Sequence, residues 1–177
     1  MADGNLRDLA LFSTAIDTML RGVDLLALTV ADVTDREGQI REEFTVRQQK
    51  TCKWTLVKIT PYTQKMLAQW IAKRRKLPWQ PLFTRLRSSP GQALSTRYYR
   101  TLVKKWVDYA HLDPAVYGSH SLRRTKAALI YEQTRNIEVV HELLGQSTVT
   151  ATLAYLDIRK RRALEIASKV EIVEIWK

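Results

Sequence analysis

The stretch from His120 to Tyr155 constrains this chain more than any other. It reads His120-Ser121-Leu122-Arg123-Arg124-Thr125, continues as an apolar helical run to Leu143-Leu144-Gly145-Gln146-Ser147, and ends at Tyr155-Leu156. His120 and Arg123 are three residues apart, so on a helical turn both side chains face the same way. Behind them Leu122, Leu129 and Ile130 fall near one stripe. Asn136 is placed to cap a second short helix whose apolar residues are Ile137, Val140 and Leu144. Gly145 fits a helix stop, and Ser147 is placed to cap a third helix with Val149, Leu153 and Leu156 on its buried side. Tyr155 then rides near the end of a short helix, where a loosely held side chain can swing.

Three residue types in this stretch serve phosphodiester chemistry without a metal. Arginine carries a permanent positive charge and a planar fork of donors that matches phosphate oxygens. Histidine moves a proton near neutral pH. Tyrosine offers an oxygen nucleophile able to hold a cut strand covalently. A His-x-x-Arg pair taken alone fits equally an ordinary basic helical domain with a buried histidine and an exposed tyrosine, so the rest of the chain has to decide.

Charge narrows the partner. Among 177 residues, 29 Lys and Arg oppose 18 Asp and Glu, a net charge of +11. That excess favours a polyanion, whether DNA, RNA or an anionic membrane. Hydrophobic residues at 45% and charged residues at 27% are a globular mixture rather than a disordered one. No apolar run approaches the roughly 20 residues that span a bilayer, and no signal peptide is visible. Cys52 is the only cysteine, which leaves no intrachain disulfide and no cysteine-based metal site. A cytoplasmic protein of one domain over residues 1–177 is the expectation.

Upstream, residues 7–20 read as a helix with Leu9, Phe12, Ile16 and Leu20 on one face. Gly22 follows, then a short helix carrying Asp24, Leu25, Leu26 and Leu28, with Arg21 in the joint. Ile40 to Val46 and Leu56 to Ile59 are rich in β-branched residues and alternate in polarity, the pattern of paired strands. Between them lies Arg47-Gln48-Gln49-Lys50-Thr51-Cys52-Lys53-Trp54. Thr60-Pro61 opens a helix to about Arg75 with Met66, Leu67, Trp70 and Ile71 toward the core. Its last residues, Lys73-Arg74-Arg75-Lys76, read as a solvated or phosphate-facing helix end. Pro78, Pro81, Pro90 and Gly91 make 77–93 a loop. Leu94 to Ala110 is an amphipathic helix with Tyr98, Leu102, Trp106 and Tyr109 along its core stripe. Arg97, Arg100, Lys104 and Lys105 lie elsewhere on it, a basic face suited to a DNA backbone, with Arg124 a further DNA contact. His111 and His141 receive no role. A basic segment, Arg159 to Arg162, leads to a tail in which Val170, Ile172 and Ile175 alternate with acids as in a short strand, so 159–177 reads as basic segment plus tail strand. The fold class expected is mixed α+β, mainly α-helical, with a small antiparallel sheet.

HSLRRTKAALIY, LLGQST and the terminal AYL resemble the C-terminal signature of the tyrosine recombinases, also called phage-type integrases, and Met19 to Leu28 resembles that family's first arginine motif. The resemblance covers about residues 8–158. It implies the tyrosine-recombinase catalytic-domain fold and a catalytic set of Arg21, Lys50, His120, Arg123, Gln146 and Tyr155, with Asp24 in support. The lysine in such proteins sits on a β-turn, enters the DNA and protonates the leaving 5′-oxygen; Lys50 matches it best and Lys53 is the alternative. Gln146 stands where the family usually has His or Trp, and the family's N-terminal helical domain, which closes around DNA, has no counterpart in the residues read here. Some relatives carry a tail strand after the tyrosine that docks in cis or on a neighbouring subunit.

What the resemblance implies is a site-specific recombinase or integrase domain that breaks and rejoins double-stranded DNA through a 3′-phosphotyrosyl link, with no metal or ATP, acting as a tetramer on DNA and without a membrane. Two other readings stay open: a type IB topoisomerase-like activity, and a catalytically weak DNA-binding relative in which Gln146 marks lost chemistry.

Overall fold

The computed structural model describes residues 3–86, 91–146, 148–156 and 168. Eight helices and two strands are placed among them: α1 (Asp3–Thr18), α2 (Gly22–Ala27), α3 (Val30–Val33), β1 (Glu43–Arg47), β2 (Trp54–Lys58), α4 (Pro61–Arg74), α5 (Thr96–Tyr109), α6 (Ser119–Thr134), α7 (Ile137–Leu144) and α8 (Val149–Tyr155). The fold is mainly helical with one two-stranded antiparallel sheet, as the sequence pattern predicts. Two compact units divide the chain, Met1–Lys126 and Ala127–Lys177, so the boundary falls within α6. None of the helices among the described residues is long and apolar enough to cross a membrane. Apart from Ser168, the basic segment and tail strand expected over 159–177 lie outside the described residues.

In the first unit, α1 packs on α4, α2 on α5, and the hairpin against α3 and α1. β1 and β2 pair in the register Glu43 with Lys58 through Arg47 with Trp54. Phe44, Val46 and Val57 face the core while Trp54 and Leu56 are exposed, the two-residue alternation of a sheet wet on one side. Trp70, Phe83, Leu11, Leu25, Leu67 and Leu82 are the largest fully buried side chains. At about 25 cal/mol per Å² of apolar area, such side chains supply the main drive for this unit to form. Leu82 and Phe83 come from the stretch expected as a plain loop, and its residues 81–84 are pinned to the core. Trp70 Nε1 donates to the Leu82 carbonyl at 2.8 Å, and short bridges join Thr29 to Pro81 and Thr84 to Ala93.

Several expectations need correction. The face of α1 turned fully inward carries Leu6, Ala10, Leu11, Thr14, Ala15 and Thr18, whereas Leu9 and Ile16 are half-buried and Phe12 is exposed. Threonines are tolerated inside because their hydroxyls donate one turn back: Thr14 to the Ala10 carbonyl at 2.6 Å and Thr18 to the Thr14 carbonyl at 2.7 Å. Phe12 packs instead on the edge of Trp106, ring centroids 5.5 Å apart. On α5 the buried residues are Tyr99, Leu102, Val103 and Val107, and Tyr109 is 89% exposed. The core stripe is therefore rotated from the expected aromatic one. The basic run ending α4 is not all solvated. Arg74 and Lys76 lie 5.7 and 5.6 Å from the Trp70 ring centre. Lys76 Nζ donates to the Pro81 carbonyl at 2.8 Å, and burial, with Arg74 nearby, pushes its pKa down to about 8.

In the second unit, the α7 signals behave as expected. Asn136 Oδ1 accepts from the Glu138 and Val139 amides at 3.0 and 3.2 Å, and Gly145 closes the helix in the left-handed region at φ 56. Val140 and Leu144 are buried. The cap of α8 differs. Ser147 lies outside the described residues, and Thr148 accepts from the Ala151 amide at 3.1 Å. Val149 and Leu129 are exposed; Thr152 and Leu156 are buried.

Candidate active site

Arg21 is the N-cap of α2, with an extended backbone at φ −65 and ψ 148 that turns the chain from α1 into the short helix. At Gly22 a Cβ would approach the Tyr99 ring to 3.3 Å, so a larger residue there would make the ring give by a few tenths of an ångström. Two hydrogen bonds tie the joint to the hairpin. Arg21 Nη1 donates to Gln48 Oε1, and the Gln49 amide donates to Asp24 Oδ1 at 2.8 Å. The turn that follows β1 closes on itself through Gln48 N to the Lys53 carbonyl at 2.9 Å and Cys52 N to the Gln48 carbonyl at 2.8 Å. Lys50 and Lys53 are both exposed on it. The geometry thus brings Arg21, Asp24 and the Lys50 turn into one cluster, and leaves Lys50 on the open side.

Asp24 is 1% exposed. Its Oδ2 has no hydrogen-bond partner among the described residues, so half of this carboxylate is buried and unsatisfied. Burying an acidic side chain is costly, and among the described residues the bond from the Gln49 amide offsets part of that cost.

His120 and Arg123 occupy the first turn of α6. His120 is exposed, whereas Arg123 is 5% exposed. Behind them, on the next turn, Lys126 Nζ donates to Asp17 Oδ1 at 2.9 Å. The other oxygen of Asp17 accepts from Thr60 N, Thr60 Oγ1 and Thr63 Oγ1, at 2.8, 2.7 and 2.7 Å. Burial pushes the Asp17 pKa upward, but the bonds from Thr63, Lys126 and Thr60 outweigh it and hold the carboxyl below its ordinary value. One aspartate therefore joins the end of α1, the start of α4 and the turn of α6 just behind Arg123. Sequence reading missed it.

Tyr155 is the last residue of α8 and is half-buried; Gln146 follows the α7 stop and is also half-buried. The second unit carries its own polar network. His141 Nδ1 lies 3.1 Å from Thr152 Oγ1, which lies 3.4 Å from Gln146 Oε1. With its carbonyl oxygen facing Thr152, the Gln146 amide nitrogen is the end turned away from that contact. His141 has no role in the sequence reading, and nothing in the one-dimensional pattern pairs residues 141, 146 and 152.

Arg97, Lys104 and Lys105 are exposed on α5, together with Arg100, and Arg124 is half-buried on α6. No group of three or more His, Cys, Asp or Glu among the described residues is placed to hold a metal ion.

A family model described as the phage integrase family matches residues 2–162. Tyrosine recombinase XerC of Shewanella amazonensis is 30% identical over 86% of this chain and 49% of its own length. Tyrosine recombinase XerH of Helicobacter pylori is 26% identical over 92% of this chain and 44% of its own. Among solved structures, the XerH recombinase bound to palindromic difH substrate in a post-cleavage complex superposes with a TM-score of 0.73 at 23% identity, covering 96% of this chain and 47% of that one. The XerA recombinase gives 0.72 at 20% identity, over 96% and 61%. These two structural likenesses carry the fold alone. The chain spans about half the length of the curated relatives it matches.

Proposed function

The chain belongs to the phage integrase family, and from that premise we propose that it is the strand-cutting domain of a tyrosine recombinase acting on specific sites in double-stranded DNA. The observation that carries the reading is the bonding of Arg21 and Asp24 to the Lys50 turn. A phosphate-binding arginine and a proton-donating lysine have to act on one phosphodiester, and they come from segments nearly 30 residues apart.

In the proposed reaction the Tyr155 hydroxyl oxygen attacks the scissile phosphorus. Its proton passes to His120, the bond from phosphorus to the 5′-oxygen breaks, and Lys50 gives the departing oxygen a proton. Lys53 remains the alternative donor. Arg21 and Arg123 neutralise the non-bridging oxygens as charge gathers there, and the Gln146 amide donates to one of them. Tyrosine ionises near pH 10, so its activation at pH 7 calls for about 4 kcal/mol if the phenolate attacks. The 3′-phosphotyrosyl bond keeps the energy of the broken one, and a different 5′-hydroxyl reverses the steps to join strands without ATP. Arg97, Lys104, Lys105 and Arg124 hold the DNA backbone, and the protein assembles as a tetramer on DNA in the cytoplasm.

The test is a denaturation-resistant protein–DNA adduct on labelled fragments. Wild type forms it, whereas Tyr155→Phe binds DNA within a few-fold and forms none. A normal adduct in that variant removes Tyr155 from the role. A second reading, a DNA-binding relative of little activity, is favoured by Gln146 standing where His or Trp is usual. On that reading wild type barely cleaves and Gln146→His restores the adduct.

A further inference from the structure

We propose that Gln48 is a positioning residue that sets Arg21 and the Lys50 turn relative to each other, so that the phosphate contact and the proton donor are placed by one side chain. The inference rests on the cleavage reading above, and it begins from a buried amide that reading does not use. Gln48 is 3% exposed. Its Oε1 accepts from Arg21 Nη1 on one side and from Thr51 Oγ1, at 3.0 Å, on the other. Its Nε2 donates to Thr55 Oγ1 at 2.8 Å, which fastens the amide to β2. Thr51 is the residue after Lys50, so both ends of this contact bear on reacting groups.

The choice of residue follows from the bonds required. Oε1 has two lone pairs and both are used, one by each donor. Fixing it there needs a donor on the same side chain, which Nε2 supplies to Thr55. A carboxylate would accept as well but would partly cancel the Arg21 charge that a phosphate needs, and it has nothing to give Thr55. The neutral amide holds the guanidinium by one N–H and leaves its charge and its remaining donors to a phosphate. Burial matters too: away from water, losing the amide leaves Thr55 without its partner and Arg21 without its stop.

Gln48→Met keeps length and volume while removing both functions of the amide. The decisive readout uses two DNA substrates under single-turnover conditions with saturating full-length chain. One has the ordinary scissile phosphodiester, and the other has sulfur in place of its bridging 5′-oxygen. A thiolate leaves without being protonated, so the sulfur substrate removes the need for the lysine alone. Lys50→Ala is expected to recover on it and Arg21→Ala is not. Gln48→Met is expected to cleave the ordinary substrate about 100-fold more slowly, as small misplacements of reacting groups do, with DNA affinity within about threefold. It is expected to recover only part of that loss on sulfur, with a residual defect of about tenfold. Ordinary rates on both substrates overturn the inference, as does complete recovery or none, since either would tie Gln48 to one partner only.

If Gln48→Met does not fold, Thr51→Val cuts the turn-side bond alone at an exposed position and is expected to give a smaller loss that sulfur repairs; an unchanged rate overturns the coupling. Should wild type form no adduct, the cleavage reading fails by itself. The placement is then read by NMR: a slowly exchanging Arg21 guanidinium proton is expected in wild type and lost in Thr51→Val or Gln48→Met less or more fully, and its absence from wild type overturns the inference.

Discussion

Asp24 shows how a single residue is asked for geometry rather than charge. One oxygen holds the Gln49 amide at 2.8 Å, and the other is buried without a hydrogen-bond partner among the described residues. Asparagine at this position keeps an acceptor for Gln49 and nearly the same shape. Asp24→Asn is therefore expected to hold stability within about 1 kcal/mol and cleavage within a few-fold, whereas Asp24→Ala is expected to cost about 1.5–3 kcal/mol, the range for a hydrogen bond to a charged group. Denaturant midpoints and single-turnover rates on the two variants check this, and equal damage from both would mean that the charge is what matters. Arg21 and Asp24 are legible in the sequence through their motif. Gln48 is legible in a weaker way: Phe44 and Val46 point inward, so the two-residue period carries residue 48 to the same side. Its partners are not legible, because Thr55 meets it only once the two strands have paired, and Arg21 only once the hairpin has packed beside the joint between α1 and α2.

At the scale of elements, Asp17 joins three helices and makes the first turns of α6 depend on α1 and α4. Its pKa is lowered in the folded chain, so the folded state favours the ionised form. The stabilisation is then whole at pH values above the unfolded value near 3.8 and is lost as pH falls through the still lower folded value. Asp17→Asn is expected to cost about 1.5–3 kcal/mol at pH 7, the range for hydrogen bonds to a charged group, since Lys126 is only partly buried. The gap from wild type should close only in strongly acid solution, and a gap that closes already near pH 6 would show that another group carries it. Helix ends at this scale were readable: Thr60-Pro61, Asn136 and Gly145 all do what their side chains or backbone freedom dictate. The buried faces of α1 and α5 were less so. Large apolar residues dominate a periodicity count, whereas the inward sides hold alanine and self-satisfied threonine in α1, and in α5 a stripe one residue round from the aromatic one.

Across the whole molecule the dominant property is the charge of +11, with Arg97, Arg100, Lys104 and Lys105 exposed on one helix. If this surface meets a DNA backbone through about five phosphates, affinity should fall with salt at a log–log slope near −4 to −5. A flat titration would show the charge turned elsewhere, and replacing Lys104 and Lys105 by Gln should flatten the slope by roughly two. The covalent chemistry is measured most directly by trapping the adduct, digesting protein and DNA, and finding the modified peptide by mass. The expected product is a nucleotide remnant joined through its 3′-phosphate to Tyr155, together with a free 5′-hydroxyl on the released strand. A remnant on any other residue, or a 5′-phosphate on the released strand, would contradict it.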